Sequence, residues 1–250
     1  MHLTADGLVL SARKSDDDRV ITILTESHGI VTAFVNGAAR TKSTLAASTE
    51  IFSFCRFIIF EHKDRFVVDK ADLNRAFFGL RKDVEKLALA SCFSQLALEL
   101  CPRDERADGY LQLMLNTLHL LELGEKPLRL LKSALTLRML SMAGFMPDLV
   151  ACRDCGCYEN PTVRLRPDDG EILCALCDIE NDNKNTLAIS PGILAAMRHI
   201  IYSESKQLFS FSLSEEGLLG LDEIIERYLL LQIDKKLPAL DFYKRIRLFQ

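Results

Sequence analysis

Two short motifs in the second half of the chain read Cys152-Arg153-Asp154-Cys155 and Cys174-Ala175-Leu176-Cys177, and eighteen residues separate them. A Cys-x-x-Cys turn places two thiolates on one side of a tetrahedral centre, and two such turns at this separation are typical of a zinc site with four cysteine ligands. The alternatives are a redox dithiol and four unrelated buried cysteines, but two matched pairs rarely co-occur by accident. The pattern predicts one structural Zn²⁺ per chain, with the ligands Cys152, Cys155, Cys174 and Cys177.

The segment between the two motifs is polar and rich in turn residues, as in Asn160-Pro161 and Pro167-Asp168-Asp169-Gly170. This composition suits a small loop that a metal holds in place. Cys157 is a fifth thiol within reach, so the sequence leaves open which thiols bind. If protein ligands fill all four corners of the site, no position remains for a metal-activated water.

The composition is that of an ordinary globular protein. The chain has 250 residues, 48% of them hydrophobic, and a net charge of −4. No basic segment followed by an apolar one stands at the N-terminus, and the most apolar stretch, 128–142, contains Arg129, Lys132 and Arg138. Eight cysteines without a secretory signal indicate reduced thiols. We therefore expect a cytoplasmic protein that does not enter a membrane. The mildly acidic total still permits a local basic groove.

The first eighty residues show the alternation of strands. Five short stretches combine period-2 patterning or β-branched runs with turn residues between them. Five antiparallel strands in this length are most economically a closed barrel with the OB-fold, although an SH3-like barrel fits the strand count nearly as well. The predicted strands cover residues 7–13, 19–25, 30–35, 50–61 and 66–70.

Beyond residue 80 the hydrophobic period becomes that of helices. Predicted helices cover 83–100, 108–123 and 127–143, a fourth follows Ser190-Pro191 to about residue 202, and a last long helix opens at Ser214. The third is apolar on almost every face, which predicts a buried central helix. The fold class is therefore α+β with more than one domain: an OB-fold domain at 1–80 and an α-helical domain at 81–250, with a zinc-binding insertion at about 148–182.

One loop of the predicted barrel has the composition of a phosphate contact. Residues 27–49 contain no acidic side chain, and their charged residues are Arg40 and Lys42. An ordinary polar loop would explain these two charges, but OB-folds bind single strands with such loops and the neighbouring strand face. We predict a nucleic-acid interface at Arg40 and Lys42, to which Arg13, Lys14 and Arg19 also contribute.

No enzyme signature is present. The chain lacks a phosphate-binding glycine loop, a dinucleotide fingerprint, a His-Glu-x-x-His motif and a Gly-x-Ser-x-Gly elbow. We therefore expect a protein without catalytic activity. The competing classes are a metabolic enzyme with structural zinc, a zinc-ribbon regulator of transcription and an interaction scaffold. A regulator should carry a recognition helix rich in Arg and Lys, whereas the helix after Ser190 has only Arg198 and His199.

Several short motifs follow one another over nearly the whole chain. They are Gly7-Leu8-Val9-Leu10, Asp18-Arg19-Val20-Ile21-Thr22, Thr25-Glu26 with Gly29, Gly37-Ala38-Ala39-Arg40-Thr41-Lys42-Ser43, Gly144-Phe145-Met146-Pro147 before the cysteines, and Leu187-Ala188-Ile189-Ser190 after them. In content and order they resemble the bacterial RecO family of recombination mediators. One departure is Asp16-Asp17, where the family commonly has Gly-Glu before the Asp-Arg pair.

The resemblance implies a function that composition and periodicity do not. RecO-like proteins bind single- and double-stranded DNA at the nucleoid and anneal complementary strands. With RecR they load RecA onto DNA covered by single-strand-binding protein, whose acidic C-terminal tail they contact through the helical domain. Such a tail requires an apolar pocket rimmed by cations. The candidate cations are Arg129, Lys132, Arg138 and Arg198, and an internal salt bridge is the alternative for each.

Overall fold

The computed structural model describes residues 2–40, 43, 45–63, 65–158, 162–180 and 185–248. The chain forms two compact units. The first contains Met1–Glu125 together with Leu237–Gln250, and the second contains Lys126–Lys236. The chain therefore leaves the first unit, builds the second, and returns to the first to end.

The N-terminal part of the first unit is a closed five-stranded barrel in the order β1-β2-β3-β5-β4. Neighbouring strands are antiparallel except β3 and β5, which pair in parallel and close the barrel. This order confirms the predicted OB-like barrel. The strands are β1 (His2–Ser15), β2 (Asp18–Thr25), β3 (Gly29–Val35), β4 (Ser53–His62) and β5 (Arg65–Ala76).

The alternation that predicted the strands also fills the barrel. On β3, Val31, Ala33 and Val35 are buried, whereas Thr32 is exposed and Phe34 is half-buried on the outer face. The other strands add inward-facing aliphatic residues and one aromatic ring, so the interior is apolar throughout. The interior includes Val9, Ile21, Ile23, Cys55, Phe57, Ile59 and Val68.

A short 3-10 helix (Phe78–Lys82) follows the barrel, and three α-helices complete the described part of the first unit: α1 (Val84–Leu100), α2 (Asp108–Leu123) and α7 (Pro238–Leu248). Gly29 has a φ of +61°, and a Cβ there would lie 2.1 Å from the carbonyl oxygen of Pro102, so only glycine lets the α1–α2 connection approach the barrel. The Ile30 amide donates to that same oxygen at 2.9 Å. At the other end of the chain, the Ala239 amide donates to Oε1 of Gln95 and ties α7 to α1.

The second unit is built on α3 (Leu128–Met142), α5 (Pro191–Tyr202) and α6 (Glu215–Ile233). Every residue of α3 from Leu130 to Leu137 is buried, which confirms the predicted central helix. Ser190 and Ser214 cap α5 and α6 by accepting from the amides of Ile193 and Gly217, as their sequence positions predict.

Between α3 and α5 lies a small three-stranded sheet, in the order β7-β6-β8. Its strands are β6 (Val163–Arg166), β7 (Glu171–Cys174) and β8 (Leu187–Ile189), and a short helix α4 (Ala175–Glu180) follows β7. The sequence predicted a loop for this segment. It also predicted the helix at Ser214 as the last one, which is wrong because α7 follows it.

The predicted domain limits of 1–80 and 81–250, with an insertion at about 148–182, stay a prediction. Strands do give way to helices near residue 80, but the packing groups α1, α2 and α7 with the barrel. None of the helices in the described part of the chain combines the length and apolar character needed to cross a bilayer.

Candidate nucleic-acid interface and cysteine cluster

The two Cys-x-x-Cys motifs meet in the second unit. Their four Sγ atoms all lie within 4.8 Å of one another. The Cys155 and Cys174 sulfurs are 3.7 Å apart, close to the edge of about 3.8 Å expected for a tetrahedron with Zn–S bonds of about 2.3 Å. Four soft ligands at this spacing could hold a metal ion. The cluster consists of Cys152, Cys155, Cys174 and Cys177.

The backbone around the first motif explains how its two thiols come to face the second. The Gly156 amide donates to the Cys152 carbonyl at 2.9 Å, and Gly156 has a φ of +70° that favours glycine after the turn. The Arg153 amide donates to the Ile172 carbonyl and fixes the turn against β7. β7 ends at Cys174, and its amide donates to the Cys152 sulfur at 3.3 Å.

The surroundings of two of the four thiols shift their pKa values in opposite directions. Burial alone would raise the pKa of Cys152, but hydrogen bonds from the backbone of Cys155, Cys174 and Asp154 outweigh it and lower that pKa to about 6. Hydrogen bonding with the thiols of Cys174 and Cys155, together with burial, raises the pKa of Cys177 above its ordinary value. The backbone around Cys152 therefore favours its thiolate, which is the form of cysteine that binds a metal cation.

Cys157 lies beside this cluster without belonging to it. It is half-buried and packs on a small core of Leu173 and three of the four cysteines. Its carbonyl accepts from the Cys152 amide at 2.9 Å, so its backbone supports the first motif. The geometry therefore favours the four predicted cysteines over a set that includes Cys157.

At one end of the barrel, the β1–β2 turn, the end of β3 and the β4–β5 hairpin enclose an open cavity of about 600 Å³. In an OB-like barrel, the loops after the first and fourth strands flank the face that binds nucleic acids. We call this region the barrel mouth; its lining residues are Ser15, Asp18, Phe34, Asn36, His62, Lys63, Arg65 and Val67.

The barrel mouth combines an aromatic ring with cations. The guanidinium carbon of Arg65 lies 5.1 Å from the centre of the outward-facing Phe34 ring. His62, Lys63 and Arg65 are exposed and have no ion-pair partner within the described ranges. The positive charges of Lys63 and Arg65 are therefore available to an anionic ligand, beside a ring on which a base could stack.

The acidic β1–β2 turn borders the mouth, but two of its three carboxylates are engaged within the protein. Asp18 accepts from the Gly37 amide at 2.7 Å, and Asp17 pairs with Nε of Arg40 at 3.2 Å. Asp16 is exposed and has a φ of +53°. Glycine adopts this left-handed conformation without strain, and Asp is one of the residues that tolerate it.

The sequence matches two protein-family models, which describe the N-terminal and C-terminal parts of recombination protein O. Residues 1–77 match the N-terminal model and residues 81–241 the C-terminal one. The chain belongs to the RecO family. It is 31% identical over 247 residues to a DNA repair protein RecO of Acetivibrio thermocellus, covering 98% of this chain and 97% of the relative. A DNA repair protein RecO of Symbiobacterium thermophilum is 30% identical over 246 residues, which cover 97% of this chain and 96% of the relative.

Membership of the RecO family gives the chain a role in DNA repair. Asp16 of the Asp16-Asp17 pair has a positive φ, a conformation that glycine adopts without strain. The β1–β2 pairing continues up to Ser15 and Asp18 on the two sides of this turn.

The predicted DNA-binding residues fall into different surroundings. Arg40 is exposed, and among the described residues its ion-pair partner is Asp17. An exposed ion pair of this kind contributes little and can be exchanged for a phosphate. Lys42 lies outside the described residues. Arg13 and Lys14 are exposed at the end of β1 next to the barrel mouth, and neither has a partner in the described structure.

Arg19 is placed differently. Its guanidinium donates to the Ala46 carbonyl at 2.8 Å and to the Thr49 hydroxyl at 3.2 Å, and it pairs with Glu50 at 2.7 Å. Only 18% of its side chain is exposed. Arg19 therefore holds the segment between β3 and β4 against the barrel. Its contribution to DNA binding stays a prediction, and we give it no part in the proposal below.

Three of the four predicted tail-binding cations are engaged inside the second unit. Lys132 is 5% exposed and pairs with Asp222 at 2.9 Å and Glu226 at 2.7 Å. Arg138 donates to the carbonyls of Ile201 and Ser203, and burial lowers its pKa. The alternative of an internal salt bridge therefore describes Lys132, whereas Arg138 is held by carbonyl oxygens and not by a carboxylate.

Arg198 donates to the carbonyls of Leu149 and Val150 and stacks on Tyr158, so it holds the entry to the cysteine segment. Its neighbour His199 bonds the Gln207 carbonyl at 2.8 Å, and neither side chain is free to act as part of a recognition helix. Arg129 differs from the other three cations because its buried Nε has no hydrogen-bond partner in the described structure.

The sequence analysis missed the cations of the β4–β5 hairpin. It treated His62 to Arg65 as a simple break between strands, although three of the four residues carry or can carry positive charge. The signal was available, because in an OB-like barrel this hairpin is one of the two ligand-binding loops. The pairing of Arg65 with Phe34 could not be seen, since it depends on the parallel β3–β5 register.

Proposed function

We propose that the chain is a recombination mediator without catalytic activity that binds single- and double-stranded DNA at the barrel mouth and anneals complementary strands. The observation that carries the proposal is the cavity of about 600 Å³ at the two ligand-binding loops of an OB-like barrel, lined by exposed cations and Phe34, in a RecO-family chain. With RecR, the protein would load RecA onto DNA covered by single-strand-binding protein, in the nucleoid.

The barrel mouth suits single strands because it offers both of the usual contacts. Lys63 and Arg65 would neutralise phosphates, and Phe34 would stack on a base at about 1–3 kcal/mol. Arg13 and Lys14 extend the positive surface along β1, and Arg40 and Lys42 belong to the adjoining loop. Phosphate neutralisation and base stacking do not depend on the identity of the base, so we propose binding without sequence preference.

We propose that the cysteine cluster binds one structural Zn²⁺. A closed set of four thiolates leaves no open coordination position, and soft thiolate ligands at tetrahedral spacing select zinc over harder cations. The metal would then stabilise the sheet of β6, β7 and β8 and take no part in chemistry on DNA.

For the acidic tail of single-strand-binding protein we propose a receptor in the second unit that includes Arg129. Its Nε is shielded from water and unpaired, so a tail carboxylate would satisfy it. Lys132, Arg138 and Arg198 already have partners in this unit, and we propose that they support its fold. A fluorescent tail peptide should bind the whole protein and lose affinity in Arg129→Ala, whereas Lys206→Ala on the surface should not change it.

Strand annealing tests the central proposal. Complementary oligonucleotides coated with single-strand-binding protein should anneal faster with the protein, and Lys63→Ala with Arg65→Ala should remove most of that acceleration. Lys70→Ala is the matched control, because Lys70 is exposed on β5 but paired with Asp72 at 2.8 Å.

Each lost phosphate contact should also lower the slope of log affinity against log salt by about 0.7–0.9. The double variant Arg40→Ala with Lys42→Ala should show the same change as the hairpin variants. An unchanged slope and affinity in both double variants would contradict DNA binding at this end of the barrel.

A further inference from the structure

A second groove lies within the first unit, between the outer face of the barrel and α2. It encloses about 300 Å³. From α2 it is lined by residues spaced as one helical stripe, and from the barrel by β1, β4 and the β2–β3 turn. The lining residues are Asp6, Glu26, Phe54, Asp108, Leu111, Gln112, Leu115 and Asn116. We call it the α2 groove.

The floor of the α2 groove is apolar and only partly covered. Leu111 is buried, but Phe54 and Leu115 remain half-exposed in the groove. Phe54 belongs to the outer face of β4, so its ring does not enter the barrel core. One or two apolar side chains from another molecule could therefore be buried on this floor.

The rim of the α2 groove is acidic. Glu26 and Asp108 are exposed, and Oδ1 of Asp6 is shielded from water with no hydrogen-bond partner among the described residues. Two cations lie close to this rim. Arg106 pairs with Asp108 at 3.3 Å from an exposed position, and Arg56 lies opposite Asp6 in the β1–β4 register without donating to its Oδ1. Within the described part of the chain, Glu26 and Asp6 therefore stay outside any ion pair. A carboxylate oxygen removed from water is stabilised when a cation pairs with it.

We propose that the α2 groove is a docking site for a segment of another protein that combines apolar side chains with Arg or Lys. Charge complementarity selects this occupant, since three carboxylates would repel the phosphates of a nucleic acid. The proposal goes beyond DNA binding, because it assigns a second function to a surface that the barrel mouth does not use.

The two surfaces lie at opposite ends of the same strands. On β1, Asp6 lines the α2 groove and Ser15 lines the barrel mouth. On β4, Phe54 lines the α2 groove and His62 lines the barrel mouth. Nine residues of extended strand span up to about 30 Å. A protein segment in the groove and a DNA strand at the mouth can therefore be bound at the same time.

The test uses the full-length protein and a fluorescein-labelled twelve-residue peptide of Leu, Phe and Arg as the probe, with the same peptide carrying Glu in place of Arg for comparison. The cationic peptide should bind and the anionic one should not. Glu26→Gln with Asp108→Asn should weaken binding at least about tenfold, and Leu115→Ala should weaken it several-fold. The control is Asp69→Asn with Glu125→Gln, two exposed carboxylates outside the groove, which should change affinity less than about twofold.

Other outcomes would overturn the proposal. If the control double variant weakened peptide binding as much as the groove variant, the effect would come from the overall charge of the protein and not from the groove. A loss of oligonucleotide affinity in the groove variants would make the groove part of the nucleic-acid surface. Concentration-dependent dimerisation that the groove variants abolish would make a second copy the occupant. Thermal melting of each variant would show that it remains folded.

Discussion

The barrel and the cysteine segment are ordered by different forces. The barrel has a continuous interior of aliphatic side chains and Phe57, all buried. The cysteine segment has a core of Leu173 and three cysteines, with Cys157 packed on it. The strands beside it also bury Val163, Leu165 and Ile172, but this apolar surface is much smaller than that of the barrel. The proposed metal would therefore contribute a larger share of the order of this segment than any single contact does in the barrel.

This difference separates stability from binding. At the barrel mouth, the side chains proposed to bind DNA are exposed and have few partners, so replacing them should change affinity and leave the fold unchanged. In the second unit, nearly every candidate cation or thiol has an internal partner, and replacing it should change stability first. The predictions below test this separation, beginning with the largest expected effect.

Replacing Cys174 with Ser should remove the metal and unfold the sheet of β6, β7 and β8. We expect the free energy of unfolding of the second unit to fall by more than about 4 kcal/mol. Elemental analysis of reduced protein, with hydrogen exchange over 148–182, measures both effects. Cys157→Ser is the control and should keep one zinc per chain. If Cys157→Ser lost the metal while Cys155→Ser kept it, the ligand set would be wrong.

Replacing Lys132 with Met should lower the free energy of unfolding by about 3–5 kcal/mol, because Asp222 and Glu226 would be left without their buried cation. Denaturant unfolding measures it. Adding Asp222→Asn and Glu226→Gln to Lys132→Met should recover much of the loss. If the Lys132→Met protein had normal stability but did not bind the tail peptide, the prediction would be wrong and Lys132 would belong to the tail receptor.

Replacing Phe34 with Leu keeps an apolar side chain on β3 but removes the aromatic face. Single-strand affinity should fall by about 1–2 kcal/mol, and the melting temperature should hardly change. Phe54→Leu is a close control, because Phe54 is also half-buried on the outside of the barrel but at the opposite end. Fluorescence anisotropy with a labelled oligonucleotide measures the affinity. If Phe34→Leu and Phe54→Leu weakened binding equally, stacking on Phe34 would be contradicted.

Replacing Asp16 with Gly should have the smallest effect. Relief of the left-handed strain at φ +53° and the greater freedom of glycine in the unfolded chain oppose each other. We expect a stability change within about 0.5 kcal/mol and slightly tighter DNA binding, since a negative charge next to the mouth is lost. Destabilisation above about 1 kcal/mol in urea would show that the Asp16 side chain supports the turn.

Local periodicity predicted the long elements because burial and period agree there. The helix at Asp108–Leu123 begins and ends where the sequence indicated, and the barrel strands differ from the predicted ones mainly at their ends. The strands β6, β7 and β8 have three or four residues each, too few for a periodic signal. α7 was missed because its apolar stripe is interrupted by charged residues and its burial depends on α1.

The candidate sites follow the same division. The spacing of the four cysteines was sufficient to predict their clustering, because two Cys-x-x-Cys turns have few other uses. The sequence could not tell a surface cation from an internal one. Arg19 and Lys132 meet their carboxylate partners across long stretches of chain, at Glu50 for the first and in α6 for the second, through contacts that only the tertiary fold creates.

The return of α7 to the first unit bears on how the chain folds as it is synthesised. Tyr243 and Leu240 are buried in that unit, and Arg247 pairs with Glu85 of α1. At about 5–20 residues per second, a ribosome needs on the order of ten seconds to make residues 126–236 after α2 is complete. During this interval the apolar surface of α1 that α7 will cover stays open, and a messenger truncated before residue 238 would leave it open permanently. The surface of α1 is therefore made before the second unit and is covered by α7 only after it.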